Sequence, residues 1–191
     1  MTPILITPPA VEPVALAEMK TWLRIDTSDD DTAISALIVA ARLTVESTVR
    51  RMLLNQSWRL VLDAWPQDNT VRVPLAPFQN VLAIRVYDAA GTPQVLSPAL
   101  WTLDANPEGA RLLFTLAPPP PGRAIAGIEI DLALGYGATP ASVPEPMRQA
   151  LRMLATRWYE NRGDDPGDSG GTHLPASVAA LLAPFRRTRL S

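Results

Sequence analysis

Residues able to do chemistry are few and widely spaced along this chain. Asp29, Asp30 and Asp31 stand in a row, and a triplet of carboxylates can ligate a divalent cation. At a helix start, however, three successive carboxylates diverge around the axis, and no nearby residues supply the other oxygen ligands. Capping uses them better: Ser28 is placed to cap, Asp31 lies three residues on, and Asp29 and Asp30 favour the positive end of the helix dipole. Asp164, Asp165 and Asp168 lie in a Gly/Ser/Pro-rich stretch without the alternating ligands and distal glutamate of an EF-hand. His173 is the single histidine, too few for a zinc centre, and no G-x-S-x-G elbow presents a serine to it. Gly135-Tyr136-Gly137-Ala138 lacks the lysine and the spacing of a phosphate loop and reads as a turn ending a strand. Cysteine is absent, which removes thiolate nucleophiles, thiolate metal sites and disulfides. No catalytic residue, cofactor site or metal site is expected.

Surfaces are what remain. Arg186, Arg187 and Arg189 form a basic cluster at the end of the chain. Three arginines neutralise too few phosphates for firm DNA binding, so the cluster reads as a solvated tail or as a segment that orders in an acidic groove of a partner. Of the five tryptophans, Trp58 and Trp158 fall on apolar stripes and read as core. Trp22, Trp65 and Trp101 are left open as stacking platforms for single-stranded nucleic acid.

The elements that must carry these residues follow from periodicity. Four prolines within residues 1–13 deny that stretch a helix and favour an extended arm. A short helix is expected over 14–24, with Leu16, Met19 and Leu23 on one stripe. A second, over 28–54, repeats Ile34, Leu37, Ile38, Ala41, Val45, Val49 and Met52 on one face, with Arg42, Glu46 and Arg50 four apart on an exposed side. The period then changes to two. Strands are expected from Gln56 to about Trp65 and over 71–75, 81–88, 100–103, 111–116 and 128–134, separated by Pro- and Gly-bearing turns. A third long helix spans 144–162, with Met147, Ala150, Leu151, Leu154 and Trp158 as its stripe, and a short one covers 175–183.

The fold class is therefore α+β: a small helical bundle (14–55 and 144–162) carrying an inserted antiparallel β module (56–143), a sandwich or small barrel. Residues 1–13 form the arm, and 163–191 a loop, a short helix and a basic tail. The 191 residues are 47 % hydrophobic, enough for a folded core, and the net charge of −2 gives no general attraction to DNA or anionic membrane. No signal peptide and no membrane-spanning run are expected, which points to a soluble product made in the cytoplasm.

Ordered motifs along residues 14–162 resemble a known family. They are Leu23-Arg24-Ile25-Asp26, Asp29-Asp30, Ile34, Leu37-Ile38, Ala40-Ala41-Arg42, Glu46 and Gln56-Ser57-Trp58. Pro74-Leu75-Ala76-Pro77, Tyr87-Asp88 with Gly91, Gly135-Tyr136-Gly137 and Trp158-Tyr159-Glu160-Asn161-Arg162 follow. The set resembles the head–tail connector (adaptor) proteins of tailed phages and gene transfer agents. That resemblance implies a ring of about twelve copies in the neck of a particle, between the portal protein and a stopper or tail protein, with DNA passing through unread. It also implies helical bodies packed side by side, C-terminal segments reaching the portal, and no catalysis. By position, Phe185, Arg186, Arg187, Arg189 and Leu190 are the expected portal contacts. Arg42, Glu46, Arg50, Arg148 and Arg152 are the expected subunit contacts, on faces bearing both signs. A stopper or tail-completion protein, a nucleic-acid-binding module and a hydrolase using His173 are the other readings.

Overall fold

The computed structural model describes residues 1–106, 109–161 and 174–186. They divide into two compact units, one formed by 1–10 with 55–136 and the other by 11–54 with 137–191.

The first unit is all β. Strands β1 (Thr2–Thr7), β2 (Gln56–Leu62), β8 (Ile128–Leu134), β4 (Phe78–Tyr87) and β5 (Pro93–Val95) form an antiparallel five-stranded sheet in the order β1-β2-β8-β4-β5. β3 (Thr70–Arg72), β7 (Gly109–Phe114) and β6 (Trp101–Asn106) form a second, three-stranded sheet in the order β3-β7-β6. Two antiparallel sheets make up the expected β module, and neither closes on itself as a barrel would. β8 is central because its alternation is strict. Ile128, Ile130, Leu132 and Leu134 are buried on one face opposite Leu62, Leu60, Trp58 and Gln56, leaving Glu129 and Asp131 to the other face. The turn after β4 needs Gly91 at φ 83°, where its N–H reaches Asp88 O at 3.0 Å.

Two strands were not expected. β5 is only three residues long. β1 lies in the proline-rich start, where the sequence suggested an extended arm; its residues are extended and pair antiparallel with β2, with Ile4 opposite Arg59.

The second unit is helical: α1 (Leu16–Leu23), α2 (Asp31–Val49), α3 (Glu145–Glu160) and α4 (Ala176–Leu182). Ile34, Ile38, Ala41, Val45 and Val49 of α2 are buried with Met147, Ala150, Leu151 and Leu154 of α3, Met19 of α1 and Leu182 of α4. α2 stops at Val49, five residues earlier than expected, because Arg50 turns into the left-handed region at φ 54°. Met52, Leu53 and Leu54 are still buried, but from an irregular segment beyond the helix. By length and composition alone α2 passes for a membrane span, at 19 residues and mean hydropathy 1.4, contrary to the sequence expectation. Its buried face includes charged residues as well as the apolar core, as befits a helix in a folded bundle.

Candidate functional site

α2 places Arg42 four residues and Glu46 eight residues beyond Ile38, which turns both towards the core. Arg42 is 5 % exposed and Glu46 4 %. Arg42 Nε donates to Glu12 Oε2 at 2.8 Å and Nη1 to Glu46 Oε2 at 3.1 Å, while Glu46 Oε1 accepts the Leu53 N–H at 2.8 Å. Burial works most strongly against the Arg42 charge, but the bonds to Glu12 and Glu46 outweigh it and raise its pKa. The exposed face expected of Arg42 and Glu46 is therefore absent. The pair is an internal clamp that fixes the chain leaving α2 at Leu53, and Arg50 alone of the three is exposed. The mistake was to read charge as exposure; the spacing from Ile38 was the available signal.

Arg148 and Arg152 of α3 are likewise engaged within the chain. Glu18 of α1 accepts from Arg148 Nη2 at 2.8 Å and from Arg152 Nη1 at 2.6 Å, and Glu145 pairs with both arginines. The Arg152 hydrogen bond is the main reason the Glu145 carboxyl sits below its ordinary value. Arg148 Nε also donates to Pro13 O at 3.0 Å, and the Arg152 guanidinium lies 5.5 Å from the centre of the Trp22 ring. Trp22 is about half exposed, and its indole N–H donates to Thr156 at 3.0 Å.

The acidic triplet holds no ligand cluster. Asp31 pairs with Lys20 at 2.6 Å and Asp30 accepts from the Tyr159 hydroxyl at 2.5 Å, tying the start of α2 to α1 and α3. No side chain caps α2 at Asp30, in place of the capping box expected from Ser28. Among the described residues no group of three acidic, His or Cys side chains is disposed to hold a metal. His173, Asp164, Asp165, Asp168, Arg187, Arg189 and Leu190 lie outside the described residues. Of the expected portal contacts, Phe185 is half-buried and Arg186 exposed. Their backbone is fixed by a residue the sequence did not single out: buried Arg51 donates to Phe185 O at 2.8 Å.

The surface that lacks charge lies elsewhere. Ala33, Ala36, Val39, Leu43 and Ser47 make an exposed stripe along α2 at helical spacing, on the side away from Ile34, Ile38 and Val45. Val39 and Leu43 are 37 % and 51 % exposed, adjacent turns of one helix.

In the β unit the outer face of the five-stranded sheet carries a closed charge network. Asp131 accepts from Arg59 Nε at 2.6 Å and from Arg85 Nη1 at 2.5 Å; Glu129 pairs with Arg59 at 3.1 Å and accepts from the Tyr87 hydroxyl at 2.9 Å. Burial opposes the Asp131 charge most strongly, yet the two arginines prevail and hold its pKa below the usual 3.8. Trp58 is half-buried with its N–H on Gln56, and Trp65 packs on Phe114 at 4.7 Å with its N–H on Pro119 O, so these two rings are committed within the chain; Trp158 is half-buried. Charged clamps thus lie inside each unit, while exposed ion pairs such as Arg72–Asp68 and Arg111–Asp104 share the surface with apolar residues.

Similarity to known proteins is consistent with this geometry. The family of phage gp6-like head–tail connector proteins matches residues 13–89. A search of curated proteins found no significant match. Among solved structures, a chain in the neck of an empty gene transfer agent particle, computed with C6 symmetry, is 30 % identical at a TM-score of 0.85, over 100 % of this chain and 98 % of that one. A chain from the virion of a native gene transfer agent particle is 28 % identical at 0.83, with the same coverage. A third, from the neck of a native particle computed with C12 symmetry, is 28 % identical at 0.82, again covering 100 % and 98 %. The chain thus belongs to the phage gp6-like head–tail connector family and is a connector of the neck of a phage-like particle.

Proposed function

We infer that copies of this chain form a closed ring, about twelve in number, between the portal and the stopper or tail below, and that DNA passes through without being read or chemically altered. The observation that carries this is the end-to-end likeness to neck chains whose particles were computed with C6 and C12 symmetry. A cyclic ring requires heterologous contacts, two different surfaces on each copy. The uncharged stripe Ala33–Ala36–Val39–Leu43 is the surface of the helical unit that suits side-by-side packing, in place of the internally clamped Arg42 and Glu46. The C-terminal residues from Phe185 onward suit the portal: Arg51 fixes where they leave the body, and they are basic.

Deleting the gene and complementing it with a chain lacking residues 187–191 tests the reading. Loss of the gene leaves DNA-filled heads that carry portal but no tail. The truncated chain folds, as judged by an unchanged melting curve, yet does not co-purify with portal-bearing heads. Full tail attachment by the truncated chain refutes the portal contact, and normal tailed particles without the gene refute the connector role.

A further inference from the structure

A ring contact through α2 leaves the β unit unaccounted for, and that unit carries an unusual edge. All six residues of β1 are exposed, and Ile4, Leu5 and Ile6 are 46 %, 39 % and 46 % exposed. The strand Thr-Pro-Ile-Leu-Ile-Thr has no charge; Pro3 and a register shift after Leu5 are its only interruptions. Proteins guard a sheet edge in water with charges, proline, bulges or a covering segment; β1 has Pro3 and a register shift after Leu5 but no charge, which leaves an aliphatic edge able to take another strand. At the opposite end of the same sheet, β5 is short and pairs only with residues 85–87 of β4. Val95 there is 65 % exposed and Leu82 on β4 53 %.

We propose that the β1 edge of one copy docks on the β4–β5 edge of the next, so that the five-stranded sheets join neighbouring subunits around the ring. The occupant is a second copy because the sheet offers two unlike open edges, which is what a head-to-tail contact needs; a two-fold contact would pair β1 with β1 and close a dimer. Apolar side chains meet on both sides, Ile4 and Ile6 on one and Val95 and Leu82 on the other, so the contact buries surface that each lone copy leaves wet. The proposal rests on the ring reading above.

The absence of native cysteine allows a clean test in assembled particles. Chains carrying Ile4→Cys or Ile6→Cys together with Leu82→Cys or Val95→Cys are incorporated into particles and treated with oxidant or a short bis-maleimide. The expected result is a ladder of covalent oligomers longer than dimers from at least one double variant and from no single variant. Dimers from Ile4→Cys alone overturn the head-to-tail arrangement, and cross-links from Ile4→Cys to another neck protein overturn the choice of partner. Neck rings that are present but yield no ladder with any pair overturn the edge contact while leaving the ring reading intact, whereas necks without a ring refute the ring reading itself. In a parallel arm, Ile4→Asp/Ile6→Asp lowers the copies of this chain per particle about tenfold, the effect of losing two aliphatic contacts, with the far-ultraviolet spectrum of the isolated chain unchanged. An unchanged copy number in that arm also counts against the contact.

Discussion

Replacing Glu46 by alanine removes more than one charge. The carboxylate is 4 % exposed, neutralises the buried Arg42 guanidinium at 3.1 Å and accepts the buried Leu53 N–H at 2.8 Å. Breaking a buried ion pair by deleting one partner costs about 3–5 kcal/mol, because the surviving charge stays in a poorly solvated place. Glu12 still faces Arg42 at 2.8 Å, so the lower end of that range applies here, about 3 kcal/mol. Orphaning the Leu53 N–H adds about 1–2 kcal/mol. The sum, about 4–5 kcal/mol, is a large fraction of a domain stability of about 5–15 kcal/mol. Glu46→Gln keeps an acceptor for Leu53 and loses only the charge, so it should cost about 2–3 kcal/mol. Urea unfolding of the isolated chain, followed by far-ultraviolet circular dichroism to report mainly the helices, measures both. The order Ala worse than Gln is as diagnostic as the size. Glu46→Arg would set two guanidinium groups side by side in the same place, so its loss of ring assembly would report misfolding and not a subunit contact. If Glu46→Ala changes stability by less than about 0.5 kcal/mol, the surface value, then the side chain faces water and the clamp does not exist.

Leu43→Glu on the exposed stripe of α2 should leave the stability of the isolated chain within about 0.5 kcal/mol but sharply reduce its incorporation into particles, as counted by quantitative mass spectrometry of purified necks. Asp131→Asn should destabilise the β unit by about 2 kcal/mol at neutral pH, since two arginines lose a charged acceptor. The sign of its pH dependence follows from a folded pKa below the unfolded 3.8: the native carboxylate contributes fully above that value, and the contribution disappears as pH falls through the lower folded pKa. The gap between native and Asn chains in thermal midpoint should therefore be constant well above 3.8 and narrow progressively as pH falls below 3.8.

Much of the fold was legible because period carries it. The alternation in Ile128–Leu134 set the central strand to the residue, and the stripe of Met147, Ala150, Leu151 and Leu154 set the buried face of α3. β1 was not legible, because four prolines within 13 residues argue only for extended backbone and cannot say whether another strand lies beside it. β5 was too short to carry a period at all. At the candidate contacts, charge misled. Arg42 and Arg152 look like surface residues by type, yet their partners Glu12 and Glu18 lie 30 and 134 residues away, and only the fold brings them together. Exposed on the helical unit instead are Ala33, Ala36, Val39 and Leu43, while Arg50 keeps the exposure its type suggests.

Imaging the neck of purified particles at side-chain resolution, with cyclic averaging, bears most directly on whether this chain works as a ring-forming connector. The account predicts one continuous ring of it directly beneath the portal, with the α2 stripe of each subunit facing its neighbour and the C-terminal residues turned towards the portal. Density that places this chain outside the neck, or as isolated copies making no contact with one another, would contradict it.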